Sequence, residues 1–299
     1  MKRTLKTGPS SRTIFAYLAP GIIIYSFSVV LPVLLAIYYS FFNWTGGPKM
    51  EFIGLGNYIE FISDMAFWKS FGNNLYLTVI AIIGQIGLAL TFALMLNSRI
   101  TKFKSFHCKF IFLPVIVSAV VVGFVWSMIY DYNYGLLNIL LKAVGLGNLA
   151  QPWLSRSKGI MTIVSIPIIW QYVGLYLIIL LAAITSIAKE ILEMAEIDGA
   201  NGIQKAWYIT LPLIKKTITV CIMLCIAGNM KVFDHIFVMT AGGPGRGSTV
   251  MAMYAYQTSF LKYRMGYGTT ISIGILILGL SIVLISRELM ERKGRKEDV

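Results

Sequence analysis

Six stretches of this chain, at roughly 14–42, 71–97, 106–130, 160–185, 217–240 and 270–287, are apolar over the length a helix needs to cross the hydrocarbon core of a bilayer, about 20 residues. No other feature limits the fold so sharply. The runs are too long and too continuously apolar for barrel strands, which are short and alternate. The chain therefore reads as an all-α membrane protein with six transmembrane helices. Pro20, Pro32, Pro114 and Pro167 fall inside the runs, and membrane helices tolerate proline better than soluble ones do. Composition agrees: 57% of the 299 residues are hydrophobic and 13% are charged, against ~45–50% and ~25% in soluble domains. A formal charge of +13 on a soluble protein would suggest nucleic acid. Here the bases cluster at the ends of apolar runs, where they set orientation. The expected partner is the lipid bilayer, not nucleic acid.

The residues before the first run include Lys2, Arg3, Lys6 and Arg12, and the connection after the second includes Arg99, Lys102, Lys104 and Lys109. Segments alternating from the N-terminus hold about twice the Lys and Arg of those between them, which by the positive-inside rule places both termini in the cytoplasm. Trp44, Trp68, Trp126 and Trp153 lie near the inferred outer boundaries, as interfacial aromatics do. The opening MKRTLKTGPSSR followed by an apolar run imitates a signal peptide, but the run from Ile14 to Phe42 is about twice a signal core of ~7–15 residues. It reads as a retained first span. The expected organisation is a cytoplasmic N-terminus at 1–13, one transmembrane domain at 14–287 and a basic cytoplasmic tail at 288–299.

Chemistry of the enzymatic kind has little to work with. Cys108, Cys221 and Cys225 lie in or beside apolar runs, where small packing residues are expected and a secreted disulfide framework is not. His107 and His235 are far apart. No metal-ligand cluster and no nucleophile–base arrangement is visible, so no catalytic and no metal site is expected.

The connection at 186–216 carries the most information. Lys189 to Asp198 is rich in helix formers. Gly199 supplies a turn or a helix stop. Asn201 with Gln204 three residues on has the spacing of a capping box, and a second short helix should run through Trp207 and Tyr208 toward Pro212 at the next span. The pair would carry Glu193, Glu196 and Asp198 on one segment and Ile203, Ala206, Trp207 and Ile209 on the other. Such a mixed acidic and apolar surface suits a groove on a partner. The competing reading is an amphipathic helix in the headgroups, which the acids oppose, since an anionic leaflet repels them.

The residues Glu193-Met194-Ala195, Asp198-Gly199-Ala200 and Ile209-Thr-Leu-Pro212 resemble the EAA loop of binding-protein-dependent ABC importer permeases. That pattern runs Glu-Ala-Ala, a Gly four residues later, then Ile-x-Leu-Pro; here Met194 replaces the first Ala and Trp207 fills the usual Phe position. The resemblance extends along nearly the whole chain, to the carbohydrate-uptake branch related to the maltose-transporter membrane subunits. It is carried by Phe52-Ile-Gly-Leu-Gly-Asn-Tyr58, Phe112-Leu-Pro114, Gly123-Phe-Val-Trp126, Gly135-Leu-Leu-Asn138, Leu181-Ala-Ala-Ile184, Thr240-Ala-Gly-Gly-Pro244 and Gly266-Tyr-Gly268.

The resemblance implies a bacterial inner-membrane permease subunit working with a second homologous permease. Its further partners would be two copies of an ATP-binding subunit and an extracellular solute-binding protein that delivers a sugar or oligosaccharide. Coupling to the ATPase would fall to Glu193, Ala195, Asp198, Gly199, Ala200, Trp207, Leu211 and Pro212. ATP and Mg would sit on the partner; the chain has no Gly-x-x-x-x-Gly-Lys-Ser/Thr phosphate loop and is expected to bind no cofactor. For the substrate path, intramembrane polar groups are costly and often functional. Gln171, Tyr172, Asn229 and Asp234 are the candidates. The first three fall on cavity positions of the maltose-type permease when aligned on the EAA loop, although the identities at Gln171 and Tyr172 differ. Lys231 and Asp234, three apart, could pair on one helix face as a purely structural contact, and Asn and Gln can equally join helices. Two alternatives stand beside the sugar permease. One is an importer permease for another solute such as a glycerol phosphate or a polyamine; the other is an autonomous secondary transporter, which would need no docking loop.

Overall fold

The computed structural model describes residues 11–98 and 101–295. The bases Lys2, Arg3, Lys6 and Arg99, used above for orientation, lie outside the described residues, as does the end of the basic tail at 296–299. In chain order the elements are helix α1 (Arg12–Tyr39), strands β1 (Phe42–Trp44) and β2 (Met50–Phe52), α2 (Gly56–Ser63), α3 (Met65–Asn97), α4 (Lys104–Ile116), α5 (Ala119–Ile129), α6 (Leu136–Ala143), α7 (Ile160–Thr185), α8 (Lys189–Ile197), α9 (Gly202–Leu213), α10 (Lys215–Met230), α11 (Asp234–Thr240), α12 (Met251–Tyr256) and α13 (Met265–Arg295). Four of them, α1, α3, α7 and the apolar part of α13, are long and apolar enough to cross a membrane; two bent pairs raise the number to six if each pair is one span.

The first of those pairs corrects the picture of continuous runs. The stretch 106–130 is not one helix: α4 and α5 meet at 98°. Pro114 lacks an N–H to donate, a tight turn forms over Leu113–Ile116, and Val117 and Ser118 are extended (ψ 140° and 138°). The second bend, of 72°, lies between α9 and α10 at Ile214. The stretch 217–240 is also interrupted, because α10 ends at Met230 and α11 begins only at Asp234. Lys231 and Asp234 therefore do not share the face of one continuous helix. Other ends shift. Phe42 leaves the first helix for β1, and α13 starts at Met265 instead of 270. Helix α3 starts at Met65 instead of 71, because the Asp64 carboxylate accepts from the N–H groups of Ala66 (2.9 Å) and Phe67 (3.3 Å), an N-cap.

The chain divides into two compact units: residues through Ser63 with Gln257–Ile273, and Asp64–Tyr256 with the remainder of α13. In the first, β1 and β2 pair antiparallel with Phe42 opposite Phe52. The buried Asn57 amide donates to the carbonyls of Ser40 (2.8 Å) and Phe42 (3.0 Å), and Tyr58 Oη meets Ser40 Oγ at 2.7 Å. The Asn-Tyr pair of the Phe52–Tyr58 segment thus fastens the chain just past the end of α1, at Ser40 and Phe42. Arg264 forms a two-pronged ion pair with Glu60 (2.6 and 2.7 Å) while lying over the Tyr267 ring.

The second unit is built around α7, whose buried Val173, Leu177, Leu180 and Ile184 join Ala89 and Ala93 of α3 and Cys221 and Cys225 of α10 in one core cluster. A second cluster joins Val164 and Ile168 to Leu77, Ile236 and Met253. Helices can approach this closely where the contact residue is small. At Gly174 a Cβ would fall 2.4 Å from the Ile111 carbonyl oxygen, so α7 and α4 touch backbone to backbone. Pro167 leaves the Ile163 carbonyl without its helical donor, and Tyr130 Oη donates to it at 3.2 Å.

Candidate functional site

Local sequence fully specifies the α8–α9 pair. Gly199 has φ +80°, the left-handed conformation in which a side chain is strained and glycine is not. Around it Gly199 N–H bonds Glu196 O (3.1 Å) and Ala200 N–H bonds Ala195 O (2.9 Å), the two bonds of a Schellman motif. Ala195 and Ala200 occupy the positions that face each other across such a turn. Ala195 is buried, so a small residue suits it. One residue on, Asn201 Oδ1 accepts from Gln204 N–H (2.9 Å) and Gln204 Oε1 accepts from Asn201 N–H (2.8 Å), the reciprocal capping box the spacing implied. Lys205 Nζ reaches back to Glu196 at 2.7 Å.

The outer surface of the pair is open. Glu193, Glu196 and Asp198 are exposed, and so are Met194, Ile197, Ile203, Trp207 and Tyr208. Asp198, Gly199, Ala200, Gln204, Tyr208 and Ile209 line a shallow depression at the turn. Leu211 is half-buried, and Pro212 opens the last turn of α9 just before the bend at Ile214. Acidic groups beside bare apolar side chains leave a surface adapted to a groove with apolar floor and basic rim.

The substrate-path candidates come apart. Gln171 is buried and its amide is engaged at both ends. Nε2 donates to the Val117 carbonyl at the α4–α5 break (2.8 Å), and Oε1 accepts from His235 Nε2 (2.6 Å). Asn229 is buried and folds back on its own helix, donating to Cys225 O at 2.8 Å. Tyr172 is half-buried beside the His235 ring, with centroids 6.3 Å apart. Asp234 is exposed in the first turn of α11.

Four residues outside the sequence-derived candidates hold this region. Asn74, fully buried, donates to the carbonyls of Asn229 (2.9 Å) and Met230 (3.4 Å) at the end of α10 and accepts from Met251 N–H (2.7 Å) at the start of α12. One amide thereby caps two helix ends. Asn73 donates to the carbonyls of Gly247 and Thr249. Gln85 bridges Ile168 O (3.2 Å) and Cys225 Sγ (3.3 Å). His235 closes the link through Gln171. Each is a polar residue inside an apolar run, and that was the signal available for finding them. Among the described residues no group of three His, Cys, Asp or Glu is placed to hold a metal.

The family described as "Binding-protein-dependent transport system inner membrane component" matches residues 85–295. The probable ABC transporter permease protein YurN of Bacillus subtilis (strain 168) is 33% identical over 285 residues, covering 95% of this chain and 97% of that protein. The multiple sugar-binding transport system permease protein MsmF of Streptococcus mutans is 30% identical over 263 residues, 88% of this chain and 89% of that one. Among solved structures, a chain of a bacterial ABC transporter involved in the import of the acidic polysaccharide alginate superposes with a TM-score of 0.82 at 25% identity, covering 94% of this chain and 96% of that one.

Proposed function

Because this chain belongs to the binding-protein-dependent transport system inner membrane component family, we propose that it is the permease subunit of an ATP-binding-cassette importer and forms, with a second homologous permease, the path for a sugar or oligosaccharide. The sugar-permease relatives support the substrate class. The family description supports delivery by a solute-binding protein outside the inner membrane. On this reading α4 with α5 is one bent span, α9 stays in the cytoplasmic loop while α10 with α11 makes the fifth crossing, the spans number six, and both termini face the cytoplasm. ATP and Mg reside on two copies of a separate ATPase subunit.

The observation that carries the coupling role is the α8–α9 pair, rigidly turned at Gly199 yet exposing acids and apolar side chains together. It docks in a cleft of the ATPase. Glu193 offers a charge-assisted contact; Asp198, Trp207 and Ala200 shape the surface; Ala195 packs within the turn, and Leu211 and Pro212 lead the pair into α10. Along the path, Tyr172 and Asp234 keep accessible atoms for the solute; Gln171 fixes the helix breaks through Val117 O and His235, and Asn229 lies buried beside them, bonded to its own helix.

The test is uptake in cells carrying Glu193→Lys or Gly199→Pro. The lysine reverses the docking charge. Proline cannot adopt φ +80° and has no N–H for Glu196 O. Both variants are expected at normal levels in the membrane with uptake abolished, and with the ATPase lost from mild-detergent pull-downs that recover it, the second permease and the binding protein from wild type. Normal uptake in either variant sinks the docking role.

A further inference from the structure

We propose that the segment from Lys102 to Phe110 binds the phosphate headgroups of anionic phospholipids in the cytoplasmic leaflet; the leaflet rests on the topology given under the proposed function. Between Asp64 and Asp131 the chain has no Asp or Glu, while Lys102, Lys104 and Lys109 fall within nine residues of one another. Helix α7, against which α4 packs through Gly174 and Ile111, contributes no acid either. All three lysines are exposed. A local excess of positive charge, with no acid on its own stretch or on α7, favours an anionic surface.

The apolar groups interleaved with them narrow the partner to lipid. Phe103, Phe106 and Phe110 are 80%, 66% and 69% exposed. Phe106 and Phe110, one helical turn apart, stack with their ring planes 17° from parallel. The opposite face of α4 is occupied, with Cys108 and Ile111 packed on the core cluster of α7. Phe103, the residue before α4, takes φ +54°, uncommon for a bulky residue. Nucleic acid or a polyanionic protein would leave these rings wet. The boundary between headgroups and acyl chains takes both, phenyl rings below and snorkelling lysines above.

The check is native mass spectrometry of the full-length chain released from detergent after equilibration with equal amounts of phosphatidylglycerol and phosphatidylcholine. Wild type is expected to retain phosphatidylglycerol preferentially. The variant Lys102→Gln, Lys104→Gln, Lys109→Gln should lower that ratio by about fivefold or more, the effect of one basic residue near an anionic surface. A matched variant of distant bases (Lys142→Gln, Arg156→Gln, Lys158→Gln) should leave it unchanged. An unchanged ratio in the first variant, or equal losses in both, overturns the site. Ser105→Cys in a Cys108→Ser background reports the side separately. Labelling from outside the cell overturns the topology and with it the leaflet, whereas labelling from inside with an unaltered lipid ratio overturns the lipid site alone.

Discussion

The turn between α8 and α9 and the break between α10 and α11 both redirect the chain within a few residues, but they are held in opposite ways. At Gly199 the holding contacts are local: a Schellman turn, a capping box spanning three residues and an ion pair spanning nine. At the other break they reach across the fold. His235 meets Gln171 64 residues away, and Asn74 meets Asn229 and Met251 at separations of 155 and 177. The first leaves its side chains facing outward; the second consumes them. Mutations should therefore separate stability from transport, region by region.

The sharpest expected contrast is at Asn74. Asn74→Leu removes the acceptor for Met251 N–H and the donor for two α10 carbonyls, leaving buried backbone groups unpaired at roughly 1–3 kcal/mol each. We expect a loss of about 3 kcal/mol or more, read as a marked fall in the thermal unfolding midpoint in detergent; an unshifted midpoint would break the comparison on its buried side. Next is the Gln171–His235 contact. A double-mutant cycle of Gln171→Leu and His235→Phe should return a coupling of about 1 kcal/mol, the worth of one buried hydrogen bond. Additive single effects would mean that the two breaks are held independently. The smallest effect is at Glu196→Gln, which weakens a partly exposed ion pair worth about 0.2–1 kcal/mol in water. It should leave the unfolding midpoint within about a degree of wild type, and a larger fall would mean that the α8–α9 pair is less self-sufficient than its caps indicate.

Legibility followed the same division. The helix formers at 189–198, the glycine at 199 and the Asn201–Gln204 spacing each act on neighbours in sequence, so the geometry could be written down beforehand. Hydropathy located the apolar runs but not their breaks. Val117 and Ser118 carry no breaking signal of their own; the turn follows from Pro114 three residues earlier and from a Gln171 amide contributed by another helix. Lys231 to Phe233 carries one charge but neither Pro nor Gly, and a lysine beside Asp234 reads as readily as a pair on one helix face as a break. Asn73, Asn74 and Gln85 were visible as polar residues in an apolar run, yet nothing in a single sequence says which carbonyls they will meet. Their partners lie on α10, α7 and the segment before α12, and only the packed fold brings them within reach.

Because the bend at Gly199 is fixed by its own backbone and caps, the helical pair enters any interface already ordered. The conformational entropy of folding a segment, about 1–2 kcal/mol per residue for the backbone, need not be subtracted from the free energy of that contact. What the contact yields is then available as a displacement of a stiff body. It is joined to α10 at Ile214 through a 72° elbow, so the pair and α10 have the shape of a crank, a short arm set at an angle to a long one.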